Sequence, residues 1–161
     1  MAVITIEPGC MADVMQIAHE LRAIDRHELE ITAGVSGRGP VEAVAHGWRI
    51  STYRRVFKAD GEPIVVYGVA PSGFNDGDGC PWMVATNAIT KVPRSFLKAS
   101  ISEVQAMRRG WVELRNATHM DNVVSLQWLR WLGFRVSNEP LGPGGVLRMF
   151  SMPGLPGEGG E

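Results

Sequence analysis

A chain of 161 residues that is 45% hydrophobic has the size of one domain and can bury a core of ordinary dimensions. Its 16 basic and 17 acidic residues give a net charge of -1 spread along the sequence, which excludes the concentrated basic patch that polyanion binding needs; no nucleic-acid partner is expected. The two cysteines, Cys10 and Cys80, have neither the CxxC spacing of a zinc or redox site nor the density of a disulfide scaffold, and read as reduced thiols of a cytosol-like compartment.

The opening M-A-V-I-T-I-E-P lacks a basic stretch followed by an apolar one, and no apolar run reaches the roughly 20 residues that span a bilayer, so neither a cleaved export signal nor a membrane span is expected. Val3 to Ile6 is a short strand closed by Pro8-Gly9. Met11 to Arg22 then repeats apolar residues at Met11, Val14, Met15, Ala18 and Leu21, the period of a helix. Two helical pieces follow, Asp25 to Thr32 and Val41 to His46, separated by the loop G-V-S-G-R-G-P. Trp48 to Lys58 and Pro63 to Ala70 read as strands. Asp60-Gly61 between them is a strong hairpin signal, because both central positions of the matching turn need positive φ. After the polar loop P-S-G-F-N-D-G-D-G comes a third strand, Pro81 to Asn87.

A helix from Pro93 to Arg109 carries Leu97, Ile101 and Val104 as its expected core stripe and ends on Arg108-Arg109-Gly110, a cationic and left-handed stop. Trp111 to Asn116 is a strand. The next helix starts near Asn122, with Asp121 or Thr118 as its cap, and stops at Gly133. On its wheel Val124, Trp128, Leu129, Trp131 and Leu132 share one face with Ser125 among them, opposite Gln127 and Arg130. Ser125 is there either for close packing or because a polar ligand approaches. Strands at Phe134 to Asn138 and Val146 to Ser151 complete one domain, 1–150, and residues 151–161 form a flexible Gly/Pro-rich tail.

An antiparallel meander followed by a strand-helix-strand crossover predicts an α/β (α+β mixed) fold: a mostly antiparallel sheet of about six or seven strands, helices on both faces, and one parallel pair. Several lures fail on chemistry. G-V-S-G-R-G-P has no preceding strand and no Lys-Ser or Lys-Thr after it, unlike a phosphate loop. D-G-D-G puts Cys80 where a calcium loop needs its third oxygen ligand. The four histidines lack ligand spacing, so no metal is expected.

The segment N-A-T-H-M-D-N-V-V-S-L-Q-W-L-R-W-L-G-F, from Asn116, resembles the last segment of the GCN5-related N-acetyltransferase (GNAT) superfamily, and the element order is similar. The resemblance implies that the strands ending near Thr86 and Asn116 splay apart and that backbone groups in the gap hold the pantetheine arm of acetyl-CoA. Asn116 and His119 would then be catalytic, with backbone groups near Thr86 polarising the thioester and His119 or a water taking the amine proton. Thr86, Asn87, Lys91, Arg94, Asn122 and Ser125 would bind the cofactor.

More narrowly, D-R-H-E-L at 25–29, D-G-E-P-I-V-V-Y-G-V at 60–69, P-W-M-V-A-T at 81–86, Phe96-Leu97 and the 114–134 segment resemble an acetyltransferase-like phage family related to the internal virion protein of T7-like phages. That implies the host cytoplasm or the virion as location, a protein or small amine as acceptor, and other phage or host proteins as partners. Two departures are visible. T-N-A-I-T-K-V-P-R-S has no glycine where the family cradles the pyrophosphate, and Pro93 removes an N–H donor. The family's proton-donating tyrosine is Leu129 here. The resemblance therefore supports two readings: an acyl-CoA-dependent N-acetyltransferase with a degenerate pyrophosphate loop, or a catalytically silent virion or assembly protein.

Overall fold

A computed structural model describes residues 1–157 of the protein. Among these residues one sheet contains seven strands: β1 (Ile4–Glu7), β2 (Tyr53–Ala59), β3 (Glu62–Pro71), β4 (Gly79–Ala85), β5 (Glu113–His119), β6 (Arg135–Val136) and β7 (Leu147–Pro153). Their order is β1-β2-β3-β4-β5-β7-β6. β1–β2, β2–β3, β5–β7 and β6–β7 pair antiparallel, and β4–β5 is parallel. The helices are α1 (Met11–His19), α2 (Ala23–Thr32), α3 (Pro40–Ile50), α4 (Pro93–Arg108) and α5 (Val123–Leu132). The mixed, mostly antiparallel sheet with one central parallel pair is the predicted fold class. The chain divides into two compact units, one of Met1–Ala70 with Trp82–Ala99, the other of Pro71–Pro81 with Ser100 onward.

In the first unit, Val14, Ile17, Ala18 and Leu21 meet Val44 and Trp48 of α3 and Val56, Val66 and Val84 of the sheet in one buried cluster. α3 runs through Trp48 to Ile50, so the strand expected from Trp48 begins only at Tyr53. Val41, Val44, Ala45 and Trp48 continue the helical spacing of three and four, and burial of the indole outweighs the β-preference of Trp-Arg-Ile. The hairpin is as predicted: Asp60 (φ 50) and Gly61 (φ 79) both take left-handed conformations and join Ala59 to Glu62. Phe57 packs edge-on against Phe96, with centroids 5.8 Å apart.

α4 presents a different face from the one expected. Leu97 and Ile101 are exposed, whereas Ser100 and Val104 are buried. The Ser100 hydroxyl accepts a 3.3 Å hydrogen bond from the Trp128 indole N–H, which lets a polar residue take the buried line beside Val104.

In the second unit, β5 pairs with β7 from Glu113↔Pro153 to His119↔Leu147. β5 thus runs past Asn116, where the strand was expected to end. The cap of α5 is Asn122, not Asp121 or Thr118: its Oδ1 accepts the Ser125 N–H at 3.3 Å. Gly133 (φ 105) ends the helix in the left-handed conformation, as expected, and Phe134 returns its N–H to the Leu129 carbonyl. Leu126 and Leu129 are the buried residues of α5. Val124 and Trp131, placed on the core face by the wheel, are exposed. Phe134 packs edge-on against Phe150.

β7 continues to Pro153, beyond the boundary expected for the tail, and backbone bonds from Gly154 to Val112 and between Leu155 and both Arg108 and Gly110 prolong the contact. The expected tail from 158 on lies outside the described residues. Among the described residues no helix is long and apolar enough to cross a membrane.

Candidate functional site

Adjacent parallel strands normally continue their evenly spaced ladder along the overlap. β4 and β5 share the single ladder pair Gly79↔Leu114. Two residues on, the Pro81 carbonyl accepts a 2.6 Å hydrogen bond from Nδ2 of Asn116, a side-chain amide standing where a ladder would supply a main-chain N–H. Asn116 Oδ1 accepts from the Ala117 N–H at 2.7 Å, which fixes the amide's orientation. The side chain bridges a distance the two backbones no longer close, so the parallel pair opens just beyond Leu114.

Main-chain polar groups along a strand alternate sides with a period of two. Thr86 donates its N–H to Ile64 of β3 at 2.9 Å. The groups of Pro81, Met83 and Ala85 point the other way, to the side where pairing with β5 has stopped. Pro81 is engaged by Asn116. The Ala85 carbonyl accepts from the Arg22 N–H at 2.9 Å, and its N–H donates to Asp25 Oδ2 at 3.0 Å. Met83 lies between these two closed positions.

Asp25, the first residue of the D-R-H-E-L segment, is a functional candidate by its position beside β4. It is 4% exposed, and Arg22 grips it through Nε–Oδ2 at 2.8 Å and Nη2–Oδ1 at 3.0 Å. Burial pushes its carboxyl above the ordinary aspartate range, against the pull of the Arg22 and Ala85 donors. The legible signal was the Arg22–Asp25 spacing of three at a helix start; what the spacing could not tell was that β4 passes beside it.

Several donors in the stretch from Thr86 to Arg94 are already engaged. Thr86 caps a short 3-10 turn over Asn87–Lys91, its Oγ1 accepting from Ala88 N–H and its carbonyl from Ile89 N–H. Val92 N–H bonds Ile89, Thr90 Oγ1 bonds the Asn87 carbonyl, and Pro93 has no N–H. Asn87, Lys91 and Arg94 are exposed, and the two cations offer side-chain charge to an anion.

His119, Asn122 and Ser125 are gathered at the start of α5. Asn122 N–H bonds the His119 carbonyl at 3.0 Å. His119 is buried, and its Nδ1 accepts the Asp121 N–H at 3.0 Å. In the neutral ring this bond leaves the proton on Nε2, so the ring's basic nitrogen is already occupied. Leu129 is buried and has no proton to give. Burial also pushes the Cys80 thiol up to about 11, which keeps it protonated and poorly nucleophilic at neutral pH. Among the described residues no group of three or more His, Cys, Asp or Glu side chains could hold a metal ion.

No protein-family profile matches the sequence, and no curated protein matches it. Solved structures do. The chain is similar to yncA from Salmonella typhimurium, solved with its cofactor acetyl-CoA, at 17% identity over 93% of each chain with a TM-score of 0.64. It is similar to the ribosomal-protein-S18-alanine N-acetyltransferase from Escherichia coli at 12% identity over 94% of each chain, TM-score 0.60. A GNAT-family acetyltransferase from Streptococcus pneumoniae matches at 11% identity over 94% of this chain and 99% of that one, TM-score 0.58. The chain has the GNAT fold. At these identities the likeness is one of fold, and the GNAT fold alone does not assign a reaction. The opened β4–β5 pair is the feature of that fold on which a function can be argued.

Proposed function

We propose that the protein is an acyl-CoA-dependent N-acetyltransferase that uses the opened edge of β4, with a protein or small amine as acceptor. The observation that carries this reading is the interrupted β4–β5 ladder, with Asn116 bridging to Pro81 and Met83 left on the open side. An extended amide-bearing ligand can pair there as a strand would. The neighbours solved with acetyl-CoA and named for acetylation of a ribosomal protein support the same cofactor and acceptor class.

Met83 would hold the amide-bearing arm through its main chain; by the family resemblance Asn122 and Ser125 would bind the cofactor and Asn116 would take part in catalysis. Lys91 and Arg94 would neutralise the phosphates by side-chain charge, since Pro93 has no N–H and Ala88, Ile89 and Val92 direct theirs back into the turn. Acetyl-CoA, when bound, supplies an activated acyl group. The amine attacks directly: burial keeps the Cys80 thiol protonated, and the Cys10 thiol is taken up by Asp13 in the cap of α1 at 3.5 Å. With Nδ1 accepting the Asp121 N–H, His119 orients the turn as a hydrogen-bond acceptor and the amine proton leaves to water. The resemblance of the 25–29, 60–69 and 114–134 segments to the phage family supports a phage setting, in the host cytoplasm or with the virion.

A second reading has its own observations: the glycine-free turn, Pro93 and the buried Leu129 favour a catalytically silent phage protein that acts through contacts with other proteins. Calorimetric titration with acetyl-CoA separates the two. At 100 times its dissociation constant a cofactor stabilises the fold by about 2.7 kcal/mol, readable as a rise in melting temperature. Binding together with CoA-thiol release in the presence of amine or peptide is the expected result. Binding without release supports the silent reading, and no binding at millimolar ligand contradicts both the cofactor and the reaction. Asn116→Ala should weaken acetyl-CoA binding about tenfold, by loss of one bridging side chain, whereas Gln127→Ala on the exposed face of α5 should leave it unchanged. Equal affinities for the two variants would count against this placement.

A further inference from the structure

The geometry points to the Arg22–Asp25 pair as a gate on the open edge of β4, one that acyl-CoA must displace to bind along its full length; this rests on the reading of that edge as the cofactor site. A strand edge offers its polar groups in rungs two residues apart, and a ligand lying along it pairs with successive rungs. The rungs on the open side of β4 are Pro81, Met83 and Ala85. Asn116 takes the first. The last is held at both groups, its carbonyl by the Arg22 N–H and its N–H by the Asp25 carboxylate. Leu21 forms an antiparallel bridge with Thr86, so the segment from Leu21 to Asp25 stands in for a neighbouring strand at the end of β4.

An N–H so engaged cannot donate to a ligand carbonyl at the same time. One rung, Met83, is therefore open without rearrangement, and a second opens only when the Asp25 carboxylate withdraws. The contact is a strong one. Asp25 is buried, the hydrogen bonds are charge-assisted, and Arg22 holds the carboxylate through both its oxygens. Arg22 is the more exposed partner and lies at the start of α2, where the gate can be released by movement of that helix end. A partner or acceptor that draws Arg22 away would free Ala85 for the cofactor.

Acetyl-CoA titrations of wild type, Asp25→Ala and Arg22→Gln test the gate. Asp25→Ala frees the Ala85 N–H and should bind acetyl-CoA about tenfold more tightly than wild type, the worth of one recovered hydrogen bond. Arg22→Gln keeps its own main-chain bond to Ala85 and loosens only the carboxylate; it should tighten binding in the same direction by less, and it serves if the Asp25→Ala chain does not fold. Tighter binding in either variant than in a wild type that binds supports the gate. Wild type that binds, with affinity unchanged or weakened in the variants, overturns the gate and leaves the cofactor site standing. Failure of wild type and variants alike to bind overturns the cofactor site, and the gate with it.

Discussion

Trp48→Ala should lower the unfolding free energy by about 4 kcal/mol, since truncating a fully packed indole loses both its transfer energy and the cavity it leaves. Trp48 is 3% exposed and sits in the cluster that joins α1, α3 and the sheet. Its ring also carries the Arg54 guanidinium 4.4 Å above the centroid, while Arg54 Nη1 donates to the Trp48 carbonyl at 2.7 Å. Trp131→Ala is the control, because Trp131 is 57% exposed on α5 and surface substitutions usually stay within about 0.5 kcal/mol. Urea unfolding of the two variants reads the difference directly. Similar losses for both would mean that the indoles are assigned to the wrong surfaces, and with them the helical reading of 48–50.

Gly68→Val should cost about 3 kcal/mol through forced overpacking in the centre of the sheet. A Cβ at Gly68 would stand 2.6 Å from the Tyr53 carbonyl and 3.2 Å from both Ser51 Oγ and Trp82 Nε1. Those last two atoms form a 2.7 Å hydrogen bond, and Ser51 Oγ in turn donates to the Gly47 carbonyl at 2.6 Å. The side chain would therefore wedge β2 from β3 and break the bond that holds Trp82 of β4. The variant should melt lower, and its tryptophan emission should shift as the Trp82 indole loses its partner. A wild-type melting curve would contradict the close approach.

What could be read from the chain follows from how local each signal is. Asp60-Gly61 and Gly133 announce their turns because positive φ is a property of the residue itself, and both turns stand where the sequence put them. The sheet class followed from element order. Trp48 was misread because a β-favouring tripeptide closes a helix whose period had been counted only as far as His46. On α4 the apolar stripe was drawn through Leu97 and Ile101, but a buried Ser100 satisfied by Trp128 carries no mark in a hydropathy pattern. The α5 cap was placed at Asp121 or Thr118, though Asn122, one residue before the first helical position, makes the bond to Ser125.

For the candidate site, His119, Asn122 and Ser125 are brought together by one turn of chain and were accessible from the sequence. Asn116 was placed at a strand end, whereas it lies within β5 and reaches sideways to Pro81. The engagement of Ala85 by Arg22 and Asp25 was beyond reach, since it joins residues 60 apart through a main-chain N–H that no sequence pattern exposes.

Backbone amide NMR of the protein titrated with acetyl-CoA tests the central claim most directly. Main-chain pairing of the cofactor along the opened strand predicts the largest shifts at Met83 and Ala85, together with the Asn116 side-chain amide, and smaller ones at Lys91 and Arg94. Saturable shifts confined to other elements, with Met83, Ala85 and Asn116 unmoved, would contradict it.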